Sequence, residues 1–287
     1  AGFAAELRER LARIRPTRAV VDLDAIAANF AYLRERAGSA EVLCVVKADA
    51  YGHGAVAVAR RLEREGARWL GVALLEEGEE LRRFGITCRI LLLGGVEEAQ
   101  LEHAVELGLT PAIVSEESHA ALVRLAARLG RRLTCHLKVD TGMTRLGIPW
   151  RRFESFAAGL APGGPLAIEG LFTHLASSDD PAVSFTRDQL ERFRACRDAL
   201  LARGFDRPML HVASSAGLLT RADSDVEIVR PGVALYGLNP WGTLRDPMLT
   251  PALALCSRVV RVSDEPQGTA VGYGCTFIAH RDSRFAT

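Results

Sequence analysis

The chain has 287 residues, with 36 basic and 35 acidic side chains and a formal net charge of +1 at pH 7. A charge balance this even gives no electrostatic basis for binding nucleic acid or an anionic membrane, so neither is an expected partner. No apolar run approaches the ~18 residues that would indicate a membrane span. The length suffices for one large barrel together with part of a second unit.

Cysteine usage and the amino-terminal segment both bear on the compartment. No Cys-x-x-Cys pair and no zinc-ligand spacing occurs, so we expect reduced thiols and no metal site. The amino terminus carries Arg and Glu at helical spacing, which is not typical of a signal peptide. These features predict a cytoplasmic protein. The six cysteines are Cys44, Cys88, Cys135, Cys196, Cys256 and Cys275.

Strand and helix patterns alternate along the central part of the chain. A helical pattern at 25–37, with Asp24 as its predicted N-cap, precedes the first strand. Short apolar runs, typical of strands buried on both faces of a parallel sheet, lie at 42–47, 69–74, 90–93, 110–114, 134–139, 168–174, 209–212 and 227–229. Helical patterns such as 75–84, 97–107, 116–129 and 186–202 separate these strands.

Eight strands that alternate with helices predict an α/β fold with a (β/α)8 barrel. The Gly-x-Gly-x-x-Gly signature of dinucleotide-binding open sheets is missing, which disfavours a doubly wound sheet. After Tyr236 the residues favour β structure and no helical run follows. We therefore predict a barrel domain over 1–240, with a lead-in segment at 1–38, and the start of an incomplete β domain over 241–287.

A lysine stands where the first predicted strand stops. Lys47 follows the apolar run at 42–46, and Gly52 and Gly54 then open a tight loop. A lysine at the end of a buried strand is poorly hydrated, which favours the neutral amine over the ammonium. The neutral amine is the form that attacks a carbonyl, so this position suits imine chemistry. The alternative is a lysine whose stem lies along apolar surface while its head reaches water.

Residues 45–54, Val-Val-Lys-Ala-Asp-Ala-Tyr-Gly-His-Gly, resemble the cofactor-lysine motif of alanine racemases, which use pyridoxal 5′-phosphate on a barrel of the fold-type III class. The resemblance continues in order to near the end of the chain. Its further strings are Lys-Val-Asp-Thr-Gly-Met-Thr-Arg-Leu-Gly at 138–147, Thr-His at 173–174, His-Val-Ala-Ser-Ser-Ala at 211–216, Val-Arg-Pro-Gly at 229–232 and Val-Gly-Tyr-Gly at 271–274. By this resemblance the chain is identified as a member of the family.

The resemblance implies an isomerase that interconverts L- and D-alanine and supplies D-alanine for peptidoglycan. Racemisation needs proton transfer on both faces of the α carbon, so two bases are required. By resemblance they are Lys47, which also holds the cofactor and acts on the D enantiomer, and Tyr273, which acts on the L enantiomer. Tyr273 would come from the other subunit of a homodimer. Arg145 would bind the substrate carboxylate, a task that suits a permanently charged, bidentate guanidinium.

The resemblance also assigns contacts to the cofactor. Arg230 would face the pyridine nitrogen and keep it unprotonated, because arginine does not give up its proton there. His174 would connect Arg230 to Tyr273. Lys138 is either carbamylated, orienting the substrate-binding arginine, or an unmodified lysine paired with Asp140 or Glu169. The residues expected to contact the cofactor are Lys47, Tyr51, His174, His211, Ser215, Arg230, Gly232 and Val233.

The barrel prediction independently brings most of these residues to one face. Active sites of such barrels form on the loops that follow the strands. The residues at or just beyond the carboxyl ends of predicted strands are Lys47, Arg145, His174, His211, Ser215 and Arg230.

Three other functions stay open. Nothing in the sequence fixes the side-chain pocket, so a racemase for serine, lysine or larger amino acids is one, and comparative turnover would separate it. A decarboxylase on the same barrel is the second, and release of carbon dioxide from diamino acids would reveal it. The third is a non-catalytic cofactor-binding barrel, because carboxy-terminal residues that close the family's site are expected to be missing from this chain.

Overall fold

The computed structural model describes residues 16–180, 184–220, 226–240 and 246–287. The strands are β1 (Arg18–Val21), β2 (Glu41–Val45), β3 (Trp69–Val72), β4 (Arg89–Leu92), β5 (Leu109–Thr110), β6 (Ala112–Ile113), β7 (Leu133–Asp140), β8 (Ile148–Pro149), β9 (Leu166–Phe172), β10 (Met209–His211), β11 (Ile228–Val229), β12 (Leu253–Cys256), β13 (Val262–Glu265), β14 (Ala270–Val271), β15 (Phe277–Ile278) and β16 (Ser283–Ala286). The α-helices are α1 (Leu23–Ala37), α2 (Ala55–Arg64), α3 (Leu75–Arg83), α4 (Glu98–Glu106), α5 (Glu116–Leu129), α6 (Phe153–Ala158), α7 (Phe185–Leu201) and α8 (Ser215–Thr220). Short 3-10 turns lie at Trp150–Arg152, Val233–Tyr236 and Tyr273–Cys275.

The described residues belong to two units. One is Asp22–Ala252, and the other combines residues 16–21 with Leu253–Thr287.

The first unit is a closed ring of parallel strands, so the predicted (β/α)8 barrel is confirmed. Strand β11 pairs with β2, followed in order by β3, β4 and β5, while β6, β7, β9 and β10 form the other half. Pro111 interrupts the fourth predicted strand, because proline cannot donate to the ladder. The two pieces of this strand each pair with a different neighbour, β5 with β4 and β6 with β7. A bridge between Ser214 and Arg230 closes the ring after β10 and β11.

The barrel interior near β2 is apolar because its strands are buried on both faces. A buried cluster is formed by Leu43, Val45, Trp69, Leu91 and Ile228.

Helix α1 begins two residues earlier than the predicted N-cap implies. The cap is Asp22, whose Oδ1 accepts hydrogen bonds from Asp24 N at 2.9 Å and Ala25 N at 3.0 Å. The prediction of Asp24 was wrong because Asp22 has the extended backbone of an N-cap, with φ −94° and ψ 101°. Asp24 instead lies in the first turn and forms an ion pair with Arg61.

The second unit contains antiparallel strand pairs. β1 pairs with β12, β13 with β16, and β14 with β15. The sequence places residues 18–21 in the lead-in to the barrel, whereas the structure pairs them with β12. The rise in β structure predicted after Tyr236 begins at Leu253 in the described residues. No helix among the described residues combines the length and the apolar character needed to cross a membrane.

Asn29 ties α1 to the segment that follows the last barrel strand. Its Nδ2 donates to Leu235 O at 3.1 Å and to Thr250 O at 2.8 Å, and its Oδ1 accepts from Thr250 N at 2.9 Å. The side chain is fully buried. Replacing it therefore leaves backbone groups unpaired away from water.

We expect Asn29→Ala to lower the free energy of unfolding by about 2–4 kcal/mol, because buried backbone groups lose their partners. Urea denaturation of the purified chain measures this change. Glu35→Ala, an exposed position on the same helix, serves as the control and should stay within about 0.5 kcal/mol. Equal effects of the two substitutions would contradict this role of Asn29.

Candidate active site

A cavity of about 430 Å³ opens at the carboxyl ends of the barrel strands. It gathers residues from loops that are far apart in the sequence, between Val45 and Pro240. The predicted site residues that line it are Lys47, Tyr51, Lys138, Arg145, His174, Ser215, Arg230, Gly232 and Val233. Two predicted residues lie elsewhere. His211 is buried below the cavity, and Tyr273 belongs to the other unit, in a 3-10 turn where its side chain is fully exposed.

The cavity is strongly cationic. The whole chain contains only two lysines, Lys47 and Lys138, and both line this cavity together with Arg145 and Arg230. Asp179 is the carboxylate among the lining residues. Such an imbalance favours an anionic ligand.

Burial and crowding of positive charge shift the titration of two lining groups. Burial, with Arg230 and Arg145 nearby, lowers the pKa of Lys138 to about 8. The same causes lower the pKa of His174 to about 3, so its imidazole is neutral at physiological pH.

Lys47 opens a turn of unusual backbone conformation. The four residues that follow it, Ala48, Asp49, Ala50 and Tyr51, have φ between 52° and 55°. For L residues this left-handed conformation costs about 1–2 kcal/mol each, so the turn must be held by its surroundings. Asp49 Oδ1 accepts from Ala55 N at 2.6 Å. Lys47 Nζ lies 6.0 Å from the centroid of the Tyr51 ring.

Asp140 shapes the turn that carries Arg145. Its carboxylate accepts from the backbone N–H groups of Gly142 at 2.9 Å, Thr144 at 3.0 Å and Arg145 at 3.1 Å. Arg145 itself is exposed at the cavity mouth. A carboxylate that binds three backbone groups of one turn fixes the backbone from which the Arg145 side chain extends.

Within the described residues, unmodified Lys138 forms no ion pair with Asp140 or Glu169, although the charge of Asp140 acts on its amine. Lys138 Nζ donates to Leu93 O at 3.4 Å and lies 5.3 Å from the centroid of the Phe172 ring. A register shift between β7 and β9 sets Lys138 opposite Phe172. Glu169 precedes Phe172 by three residues on β9 and so lies at a different level of the barrel, and Asp140 accepts hydrogen bonds from its own turn.

Arg230 is a buried cation held by backbone carbonyls. Its Nη1 donates to His211 O at 2.5 Å, and its Nη2 donates to Thr173 O at 2.6 Å and Val212 O at 3.3 Å. His174 Nδ1 lies 3.5 Å from Nη2. Burial lowers the pKa of Arg230 to about 9, which leaves it protonated at neutral pH. Among the described residues it has no carboxylate partner, so an electron-rich ligand atom would complete its surroundings.

Hydroxyls and backbone N–H groups form one corner of the cavity. Ser215 Oγ accepts from Gly232 N at 2.9 Å and Ala234 N at 3.1 Å. A Cβ at residue 232 would lie 2.6 Å from the hydroxyl oxygen of Tyr51, so only glycine leaves this corner open. Burial raises the pKa of Tyr51, which keeps the phenol neutral and able to donate.

Below the cavity, a polar chain runs through the barrel interior. His211 stacks on Phe172, with ring centroids 4.6 Å apart, and its Nε2 lies 2.9 Å from His136 Nδ1. His136 Nε2 lies 3.4 Å from Glu169, which also binds Arg89. The nearby His136 ring and the Arg89 guanidinium lower the pKa of Glu169 to about 2. His211 is therefore not among the lining residues, and it contacts one of them, Phe172.

The sequence patterns did not reveal Gln189. It lies on the buried face of α7, where its Nε2 donates to His174 O at 3.1 Å and Thr141 Oγ1 at 3.2 Å. Its Oε1 accepts from Ala176 N at 2.8 Å. Gln189 thus supports the loop that presents His174. The available signal was an amide on the apolar stripe of a helix, which needs buried partners.

The fold and the cavity define a (β/α)8-barrel protein with a cationic ligand site and a lysine amine at its strand ends. Comparison with known proteins narrows this class. A model of the alanine racemase N-terminal domain matches residues 21–240. An alanine racemase of Symbiobacterium thermophilum is 42% identical over 275 residues, covering 96% of this chain and 73% of that protein.

Solved structures agree with this match. The alanine racemase from Streptomyces coelicolor A3(2) has a TM-score of 0.86 at 33% identity, covering 94% of this chain and 74% of that chain. The alanine racemase from Bartonella henselae, solved with covalently bound pyridoxal phosphate, has a TM-score of 0.85 at 28% identity, with the same coverage of 94% and 74%. The chain belongs to the alanine racemase family, which confirms the resemblance found in the sequence.

The left-handed turn after Lys47 gives a stability prediction. Ala48→Gly should leave the free energy of unfolding unchanged or raise it by about 1 kcal/mol, because glycine adopts positive φ without strain. Ala57→Gly, an exposed position in right-handed α2, should lower it by about 1 kcal/mol. Urea denaturation compares the two variants. A loss at residue 48 equal to that at residue 57 would contradict the strained turn.

The buried histidines give a pH prediction. Burial lowers the pKa of His136, His174 and His211, so the folded chain keeps them neutral while the unfolded chain protonates them below pH 6.5. The unfolded state then binds more protons, and stability falls as pH drops below about 6.5. Each histidine contributes up to about 1.4 kcal/mol per pH unit to this slope.

Urea midpoints between pH 7.5 and pH 5 measure that slope. His174→Asn should make it shallower by about one proton. A slope that His174→Asn does not alter would show that this imidazole titrates normally in the fold.

Proposed function

We propose that this chain is an alanine racemase that binds pyridoxal 5′-phosphate through Lys47. The observation that carries the proposal is the cavity itself. It gathers both lysines of the chain, two arginines and a glycine-lined polar corner at the strand ends of a barrel that belongs to this family.

The lining residues fit the chemical groups of the cofactor. Lys47 offers an amine to its aldehyde. Ser215, Tyr51 and the backbone N–H of Val233 offer donors to its phosphate. The Gly232 N–H, which donates to Ser215 Oγ in this structure, would turn to the phosphate when it binds. Arg230 offers a buried cationic donor to the ring nitrogen. When bound, the cofactor stabilises negative charge that develops at the α carbon of the amino acid.

Two bases of this chain would move the α proton. Lys47 would exchange it on the face from which D-alanine is deprotonated. Tyr273 of a second copy of the chain would exchange it on the opposite face, for L-alanine. Exposure of Tyr273, between Gly272 and Gly274 at φ 78° and 69°, supports a tyrosine that is presented outward.

Arg145 would bind the substrate carboxylate at the cavity mouth. A guanidinium held by the Asp140 turn can form two parallel hydrogen bonds to that group. His174, neutral and next to Arg230, would connect the ring-binding arginine to Tyr273. His211 would support this region from below through its carbonyl bond to Arg230.

For Lys138 we propose the carbamylated form. Its amine is buried among Arg230, Arg145 and Lys47. Addition of carbon dioxide to the neutral amine would replace one of four crowded cations with an anion and release a proton. The resulting carbamate could orient Arg145 by a charge-assisted hydrogen bond.

The wider assignment follows the same family resemblance. The barrel domain, predicted over 1–240, would hold the cofactor, and the β domain, predicted over 241–287, would supply Tyr273 to the partner copy in a homodimer. The product D-alanine would serve peptidoglycan synthesis. All six cysteines are free thiols, which supports a cytoplasmic location.

Cofactor attachment tests the role of Lys47. Added pyridoxal phosphate should give a visible absorbance band, and borohydride should fix one cofactor per chain on Lys47, located by peptide mapping. Lys47→Ala should lose the band and reduce turnover of alanine by at least about 10²–10⁴-fold. Only two lysines are present, so fixation on Lys138 or the amino terminus instead would contradict the proposal.

Solvent exchange of the α proton tests the second base. In Tyr273→Phe, D-alanine should still exchange its α proton with solvent through Lys47, whereas exchange from L-alanine should fall by about 10²–10⁴-fold. Tyr32→Phe is the matched control, because its hydroxyl binds Asp246 at 2.7 Å in the barrel unit. Equal losses for both enantiomers in Tyr273→Phe would remove Tyr273 from this role. Turnover of serine, lysine and arginine alongside alanine would define the substrate range.

A further inference from the structure

We propose that Glu77 is a positioning residue for Lys47, acting through the peptide that follows the lysine. Glu77 lies in the first turn of α3 and is half-buried. Its Oε1 accepts from Ala48 N at 2.6 Å, and its Oε2 accepts from Ala73 N at 2.7 Å and Leu74 N at 3.1 Å. The inference rests on the proposed function for the chemical role of Lys47.

Helix capping explains only one of the two carboxylate oxygens. Oε2 satisfies N–H groups at the start of α3, as an acidic residue in a first turn commonly does. Oε1 reaches a different loop, the one that follows β2. The bond to Ala48 joins residues 29 positions apart and has no part in the cap.

The Ala48 N–H belongs to the peptide unit that contains the Lys47 carbonyl. Fixing this N–H sets the plane of that peptide and therefore the ψ angle of Lys47. It also fixes the entry of the left-handed turn over 48–51. The Asp49 bond to Ala55 N holds the exit of the same turn. A strained turn persists only when both ends are fixed, so losing the Glu77 bond lets it relax at the lysine.

The same carboxylate also joins two walls of the cavity. Ala73, which donates to Oε2, lines the cavity, and so does Lys47. A reacting amine must stay near one position, and a displacement of about 1 Å can cost about 100-fold in rate. Glu77 thus sets the lysine relative to the neighbouring loop, which follows β3, without touching substrate or cofactor.

Variants of Glu77 separate its hydrogen bond to Ala48 from its role in capping α3. Glu77→Ala removes both functions. Glu77→Asp keeps the charge at the start of α3 but is one methylene too short to reach Ala48 as well. Glu77→Gln keeps the length and one acceptor oxygen. Ser115→Ala is the matched control for capping alone, because Ser115 caps α5 and accepts from Ser118 N at 3.2 Å.

The first readout needs no cofactor. Hydrogen exchange of the Ala48 amide, resolved by fragmentation mass spectrometry, should become at least about 10-fold faster in Glu77→Ala and Glu77→Asp, because a charge-assisted hydrogen bond is lost. Ser115→Ala should leave it unchanged. Unchanged exchange at Ala48 in Glu77→Ala would overturn the proposal.

The second readout is the rate at which borohydride-fixable cofactor appears on Lys47. We expect it to fall about 10–100-fold in Glu77→Ala and Glu77→Asp, and less in Glu77→Gln. In turnover, kcat should fall more than KM rises. A normal attachment rate in Glu77→Asp despite faster Ala48 exchange would reduce Glu77 to a structural cap. If the unaltered chain itself attaches no cofactor at Lys47, the proposed function fails, while the exchange experiment still decides whether Glu77 holds the turn.

Discussion

The buried guanidinium of Arg230 joins the closure of the barrel to the chemistry of its cavity. Its hydrogen bonds reach carbonyls at the end of β10 and just after β9, while its own backbone bridges to Ser214. The last two barrel strands are short, so backbone pairing alone gives them few bonds. A cation that binds several carbonyls at once adds hydrogen bonds that these short strands do not form with each other. The side chain that completes the ring is therefore also the one that faces the ligand.

Several positive charges lie close together in the cavity, and their repulsion destabilises the fold. The fold limits this repulsion by keeping the nearby histidines neutral. His174 and His211 lie against Arg230, and protonating either would add a further buried cation. The negative charge of Glu169 lies outside this cavity, between Arg89 and His136. The cavity thus keeps its excess of cations available for an anionic ligand, because the fold places few carboxylates within reach.

The sequence predicted the barrel and the convergence of distant residues because parallel strands bring their carboxyl ends to one rim. Lys47, Arg145 and Arg230 could be placed there from strand ends alone. Contacts that depend on side-chain direction could not be predicted, since apolar runs do not show which residues face the lumen. Lys138 is such a case, because its amine donates to Leu93 O and, within the described residues, forms no ion pair with Asp140 or Glu169. The roles of Gln189 and Glu77 could not be predicted, because each lies in an amphipathic helix and forms hydrogen bonds to a loop outside that helix.

Helix propensity does not predict the left-handed conformation of the turn after Lys47. Alanine is the strongest right-handed helix former, yet Ala48 and Ala50 adopt the opposite hand. Gly52 and Gly54 indicated a tight loop, but they follow the strained residues. At about 1–2 kcal/mol for each of four residues, the strain is comparable to the whole stability of a typical domain, about 5–15 kcal/mol. Only contacts from other parts of the chain can maintain it, and small side chains at 48 and 50 keep the clash near its minimum. The conformation of residues 48–51 therefore depends on contacts in the folded barrel and cannot be predicted from the sequence of that turn alone.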